Sequence, residues 1–299
     1  MMDGIINIYK ERGFTSHDVV AKLRGILKQK KIGHTGTLDP DAEGVLPVCL
    51  GNATKMCDLL TEKEKTYEAV LLLGLETDTQ DISGTVLNEQ EVSVTEVDVI
   101  DCIQSFIGPY DQIPPMYSAL KVNGKKLYEL AREGKVIERT PRKVEIRSID
   151  IIEVNLPRVR FSVQCSKGTY IRTLCHDIGV KLGCYGCMES LVRTKSGNFT
   201  IEEAIKLSEV EDKWKNATLM EHISQVPDLF PTYPKVFVKQ EFDKLALNGN
   251  PLYENQLKQG NPLVDRAKPV LVYNSNQTFI GIYQWKQDKN QFFPVKMFL

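Results

Sequence analysis

RVRFSVQCSKGTYIRTLCHDIGVKLG, residues 158–183, reads as a strand, a turn and a helix in direct succession. From Arg158 to Cys165 the residues alternate, with Val159, Phe161, Val163 and Cys165 on one face, the period-two pattern of a half-buried strand. Ser166-Lys167-Gly168 ends it. A helix is expected from about Thr169, because Ile171, Leu174 and Ile178 fall on one stripe and Gly183 supplies a C-cap. The flanking chain uses the same two patterns in irregular order. Ser16 to Lys31 predicts a helix with a Thr15/Asp18 capping box and a cationic last turn. Thr66 to Leu73 predicts a strand with Tyr67, Ala69, Leu71 and Leu73 on one face, and Glu96 to Ile107 a helix that stops at Gly108-Pro109. Strands follow turns as often as helices, so an α+β fold with a mixed, largely antiparallel sheet is expected rather than a doubly wound parallel one.

Near residues 225–235 the text becomes QVPDLFPTYPK, and Pro227, Pro231 and Pro234 mark a stiff boundary. This divides the 299 residues into a large unit, 1–230, and a small β-rich unit, 235–299, with short β-like pieces at Val270–Tyr273 and Phe279–Trp285. The composition, 42% hydrophobic and 26% charged, is that of a globular chain. The longest near-apolar run, Ala69 to Leu75, is far short of the roughly 20 residues of a membrane span. With no signal-peptide pattern in MMDGIINIYK, a cytoplasmic protein is the expectation. Seven cysteines without a disulfide-like framework agree with that compartment. Cys184 and Cys187 have zinc-ligand spacing, but a second CxxC is absent and packing thiols are favoured.

Net charge is −1, yet it is unevenly spread. Between Val19 and Thr35 lie Lys22, Arg24, Lys28, Lys30 and Lys31 with no carboxylate, and Lys121 to Arg147 holds nine cations against four carboxylates. Asp81 to Asp101 is the reverse, six acids and no Lys or Arg. Segregated charge of this kind lets one face meet a polyanion while another repels it.

No GxxxxGK[ST], HExxH or GxGxxG occurs, which leaves triphosphate-binding, zinc-protease and dinucleotide readings without support. The segment GHTGTLDPDAEGVLPVCLGNATK, residues 33–55, imitates the start of an EF-hand loop but has Leu50 where the bidentate Glu belongs. Polar, glycine-rich loops more often turn the chain than do chemistry. The residues themselves point further. Gly33-His34-Thr35-Gly36-Thr37-Leu38-Asp39-Pro40, with Gly44-Val45-Leu46-Pro47 and Gly51-Asn52-Ala53-Thr54-Lys55 after it, closely resembles the catalytic motif of the TruB family of tRNA pseudouridine synthases. Lys65-Thr66-Tyr67, the IPPMYSALK run at 113–121 and CSKGTYIRTL at 165–174 resemble that family in the same order. The resemblance covers about residues 3–200; the tail resembles, more weakly, the PUA-type RNA-binding module of such enzymes.

The resemblance implies that Asp39 is the nucleophile that isomerises uridine at position 55 in the T-loop of tRNA, acting on a flipped-out base. It implies that Arg172 pairs with Asp39, that Tyr67 is the platform for the extruded uracil, that Tyr170 and Leu191 line the pocket, and that His34 fills the space the base leaves. Lys55 either holds a phosphate or structures the motif. Arg172 is notable on local grounds too, since a cation in the first turn of a helix opposes the macrodipole by up to about 1 kcal/mol. The reaction involves neither redox change nor hydrolysis, so no cofactor and no metal is expected. The basic stretch within 111–147 is expected to grip the T-arm of tRNA through phosphates, and the family suggests a monomer. Two other functions stand beside this one: a non-catalytic tRNA-binding or RNA-folding protein with an idle Asp39, and a carboxylate hydrolase of the glycosidase kind.

Overall fold

The Arg158–Cys165 strand lies inside a ten-stranded sheet, where its alternation predicts a strand with one buried face. The computed structural model describes residues 2–122, 124–259 and 265–299. From edge to edge the main path runs Ile223–Ser224, Gly4–Lys10, Glu43–Leu50, Gly186–Ser196, Lys65–Leu73, Arg158–Cys165, Arg142–Asn155 and Gly108–Gln112. Ile32–His34 and Phe199–Thr200 pair onto Glu43–Leu50 and Gly186–Ser196. Among the strand pairs of the described residues in this sheet, one is parallel: Glu43–Leu50 beside Gly186–Ser196, with Val192 opposite Glu43 and Arg193 opposite Gly44. The fold is therefore mixed α+β with a largely antiparallel sheet, as the sequence leads one to expect. The parallel junction is tight. Gly44 has φ +100°, and a Cβ there would lie 2.3 Å from the Arg193 carbonyl oxygen, so a side chain has neither the backbone conformation nor the room.

Tyr67, Ala69, Leu71 and Leu73 face inward together with Val159, Phe161 and Val163. Helices Glu96–Gln104 and Ile171–Leu182 cover them with Val99, Ile103, Leu174 and Ile178, and each such large apolar side chain contributes about 1.5–3 kcal/mol on burial. A second cluster packs Val19, Val20 and Leu23 of helix Ser16–Leu27 against Ile6, Ile8, Leu46 and Val48.

Two helices are shorter than their periodicity predicts. The first stops at Leu27 because Lys28 takes a left-handed conformation (φ 52°), and the Gln29 amide then ties the chain to Met2 through two 2.8 Å hydrogen bonds. Glu96–Gln104 stops before Ile107, where the chain turns into the Gly108–Gln112 strand. The Thr15/Asp18 capping box is present, with the Asp18 backbone N–H donating to Thr15 Oγ1 at 3.0 Å.

Beyond the proline-rich segment, Lys235–Phe237, Val270–Tyr273, Phe279–Lys286 and Gln291–Met297 form a four-stranded sheet over its own core of Val236, Leu252, Val272, Tyr283 and Phe292. Positions 260–264 of this stretch lie outside the described residues. Leu271, Ile282 and Phe298 pack with Ile5, Cys49, Met56 and Leu60, which seats the small sheet against the large one. Between Gly108–Gln112 and Arg142–Asn155 the basic stretch forms a short hairpin, Lys121–Val122 with Lys125–Lys126, and the helix Leu127–Arg132. Cys184 and Cys187 are buried free thiols, and among the described residues no three His, Cys, Asp or Glu side chains cluster as a metal site.

Candidate active site

Asp39 stands in the loop that joins Ile32–His34 to Glu43–Leu50, and that loop is held from several sides. Leu38 N–H donates to Ser16 Oγ at 2.9 Å, and Gly13 N–H to the Pro40 carbonyl at 2.9 Å. Lys10, fully buried at the end of its strand, donates from Nζ to the carbonyls of Ala42 (2.6 Å), Pro40 (3.0 Å) and Glu11 (3.2 Å). Burial pushes this ammonium down to about 8, opposed by Glu43 and Asp39. Lys10→Met is therefore expected to strand buried carbonyls and cost about 1–3 kcal/mol, read as a lowered urea midpoint, with a fall in turnover as the loop loosens.

Arg172 enters from the second position of the Ile171–Leu182 helix. It grips Asp39 side-on, Nε to Oδ2 at 3.0 Å and Nη2 to Oδ1 at 3.3 Å. The remaining donors are also used: Nη2 to the Tyr117 carbonyl at 2.8 Å, Nη1 to the Thr79 carbonyl at 3.0 Å, and Nη1 toward Asp81 Oδ2 at 3.7 Å. Two carboxylates thus offset the desolvation and the helix dipole that both disfavour a cation here. The guanidinium is 5% exposed whereas the Asp39 side chain keeps 40% of its surface open, so the carboxylate presents a free edge. Burial lifts Asp39 above the usual carboxylate range; Arg172 pulls it back and Asp81 adds to the lift.

Tyr67 and Leu191 share a buried cluster with Leu38, the residue before Asp39. Tyr67 also lies opposite Arg193 across the Lys65–Leu73 and Gly186–Ser196 pairing. Burial raises the Tyr67 phenol, so it remains protonated, with Arg193 within hydrogen-bonding reach. Arg193 is 1% exposed and donates from Nε to the Val45 carbonyl (2.6 Å) and from Nη2 to the Gly36 carbonyl (3.2 Å). One buried cation therefore joins Tyr67 to both flanks of the Asp39 loop. Tyr170 is the N-cap of the Arg172 helix, half-buried, and its backbone exchanges two hydrogen bonds with the buried side chain of Gln112 at 2.7 and 2.9 Å. Its phenol is raised by burial and senses both Arg172 and Asp39.

His34 is half-buried at the end of its short strand, and its Nδ1 accepts from the Gly36 N–H at 3.3 Å. Burial first, then Arg193 and His17, hold this imidazole below its ordinary value, hence neutral at pH 7. Lys55 lies elsewhere: its Nζ donates to the Leu299 carbonyl at 3.0 Å, joining the motif to the last residue of the chain. That contact is with protein and at the seam between the two sheets. Arg172 clasps Asp39, Tyr67 and Tyr170 lie within electrostatic reach of that carboxylate, Leu191 shares the core cluster of Tyr67 and Leu38, and His34 ends the strand before the loop; Lys55 is apart from them.

Lys10, Asp81 and Arg193 are the groups that sequence reasoning misses. Asp81 belongs to the acidic stretch 81–101 and looks like surface charge, but it turns in toward Arg172. Lys10 and Arg193 sit on strands whose alternation would accept an outward cation, and only the tertiary pairing buries them.

The matches to known proteins agree with this geometry. Residues 24–171 match the TruB family pseudouridylate synthase N-terminal domain, and 172–228 the tRNA pseudouridylate synthase B C-terminal domain. The tRNA pseudouridine synthase B of Lachnoclostridium phytofermentans is 56% identical over 310 residues, all of both chains, and that of Clostridium kluyveri 47% identical over 300 residues, again all of both. Among solved structures, a Cbf5-Nop10-Gar1 complex aligns with a TM-score of 0.73 and 28% identity over 99% of this chain and 85% of that one. A carboxylate clasped by a buried guanidinium, on a loop held by buried Lys10 and Arg193, in a chain matched from end to end by such relatives, places this protein in the TruB family of pseudouridine synthases.

Proposed function

We propose that the chain isomerises uridine to pseudouridine in tRNA, at position 55 of the T-loop, with Asp39 as nucleophile. The observation that carries the reading is the side-on Arg172–Asp39 pair, which favours the ionised carboxylate while the Asp39 side chain stays 40% exposed, within electrostatic reach of Tyr67 and Tyr170. The reaction balances without a co-reactant. The bond from ribose C1′ to N1 breaks, the base turns, C1′ bonds to C5, the C5 proton leaves and N1 gains one. No cofactor or metal is called on.

A uridine in a loop leaves its stack at a cost of a few kcal/mol, and stacking on one aromatic ring returns about 1–3 kcal/mol. Tyr67 supplies that ring, Tyr170 and Leu191 the walls, and neutral His34 the filling of the vacated space. The insert at 111–147 and a PUA-like module at 235–299 add phosphate and shape contacts to the T-arm. On this reading the protein acts as a cytoplasmic monomer, as the family resemblance suggests. Among the described residues no helix is long and apolar enough to cross a membrane.

Tritium release from T-arm RNA carrying [5-³H]uridine tests the proposal. One equivalent per RNA is expected, and none would refute isomerisation through C5. The rate is expected to fall in acid as Asp39 takes up a proton. Because burial raises this group, kcat/KM falls with a midpoint above the roughly 3.9 of a free aspartate.

A further inference from the structure

The cations read from the sequence between Val19 and Thr35 do not lie on an outer helix face. The helix ends at Leu27, Lys28 reverses the chain, and Lys30 and Lys31 are thereby folded back beside Arg24. Together with His17, Thr54 and His34 they line a cleft of about 530 Å³ between the first helix, the Ile32–His34 strand and the turn after Glu43–Leu50. Among the described residues no carboxylate lines it. Arg24 donates to the Ile32 carbonyl at 3.1 Å and Lys31 to Asn52 Oδ1 at 2.7 Å, both neutral acceptors. Among the described residues, Arg24, Lys30 and Lys31 have no carboxylate within 4 Å. The insert differs in part. Lys125 and Lys135 both pair with Glu133, at 3.4 and 2.7 Å, and Arg147 pairs with Glu64 at 3.0 Å and with Glu145. A cation already paired with a carboxylate releases fewer counterions when it meets a phosphate, so the three cleft cations act at full charge. Among the described residues Lys121, Lys126, Arg132, Arg139, Arg142 and Lys143 of the insert are likewise without a carboxylate within 4 Å, and the cleft adds a second basic surface to theirs.

Position matters as much as charge. His34 is shared: it borders the cleft and also heads the loop that carries Asp39. A phosphate held in the cleft therefore lies next to the strand that leads into the Asp39 loop. We propose that the Arg24–Lys30–Lys31 cleft is a phosphate-binding site for the RNA strand adjoining the target uridine. The inference rests on the RNA-modifying reading above and adds to it a place where backbone phosphates are held, in the cleft that His34 borders. The three cations meet non-bridging phosphate oxygens as point or forked charges, and they position the strand without reading its bases.

The test is the salt dependence of binding of an unmodified T-arm stem-loop by the full chain. Lys30→Ala/Lys31→Ala is expected to reduce the slope of log K against log[KCl] by about 0.7 to 0.9 for each phosphate no longer neutralised, and to weaken binding about tenfold near 0.1 M salt. Lys30→Arg/Lys31→Arg, which keeps both charges, is expected to retain the parent slope. Both lysines are exposed, so circular dichroism of each variant should match the parent. A double alanine variant with the parent's slope and affinity overturns the proposal, as does loss of slope in the charge-conserving variant. Turnover of the parent is measured in the same preparations. A parent that makes no pseudouridine while the slope still falls refutes the catalytic reading and leaves the phosphate site standing.

Discussion

Asp39→Asn is expected to abolish tritium release from T-arm RNA, by a factor on the order of 10⁴ or more, while RNA binding stays within the same order of magnitude. The amide keeps the shape and can still accept a hydrogen bond from Arg172, so the loop held by Lys10 and Ser16 has no reason to move. What disappears is the anionic oxygen at the open edge of the site. Binding persists because phosphate contacts lie on other residues. Residual turnover close to the parent's would remove Asp39 from the chemistry and return the non-catalytic RNA-binding function to first place.

The second large effect is expected at Arg172. Arg172→Met leaves Asp39 and Asp81 facing each other without their shared cation and frees the Thr79 and Tyr117 carbonyls. Losing the buried guanidinium from a pair whose carboxylate is half-exposed, together with two carbonyl acceptors, costs about 1–3 kcal/mol, so both stability and turnover should suffer. Two readouts separate catalysis from mere loss of fold. Without the guanidinium the Asp39 carboxylate rises further, so the acid limb of kcat/KM moves toward neutral pH. Arg172→Lys restores the charge but not the side-on fork, and should return the acid limb toward the parent position while kcat remains depressed about 10²-fold. An unchanged acid limb in the Met variant would mean that Arg172 does not set the ionisation of Asp39.

Much of the site is legible before folding because its motifs are local. The alternation of Lys65–Leu73 puts Tyr67 inward whatever its neighbours, and a cation in the first turn of a helix already marks Arg172 as a residue held by something else. What pairs with what is a different matter. Nothing in a period-two pattern tells that Glu43–Leu50 and Gly186–Ser196 meet in parallel, and that junction is what buries Arg193 beneath Tyr67 and beside the Asp39 loop. Lys10 illustrates the same limit, since a lysine at the end of an apolar strand carries no local mark of the three carbonyls that will surround it. The overlong reading of the first helix has a plain cause. Lys28, Lys30 and Lys31 suit a helix C-terminus electrostatically, but Lys28 takes the left-handed turn, and the cations that follow line a cleft instead.

Asp81 shows why composition misleads at a site. Counted with its neighbours it belongs to an acidic surface, yet its carboxylate accepts from Thr79 and Ser83 and points its other oxygen at Arg172. The same stretch thus fixes the cation that fixes Asp39.

Carbodiimide labelling of an unmodified T-arm stem-loop after incubation with the full chain, read by primer extension and paired with an assay for released uracil, addresses the isomerase reading most directly. An isomerase that flips one nucleotide onto Asp39 gives a single new stop at the T-loop uridine and no free base. An unlabelled RNA, or uracil released in place of a stop, would contradict it.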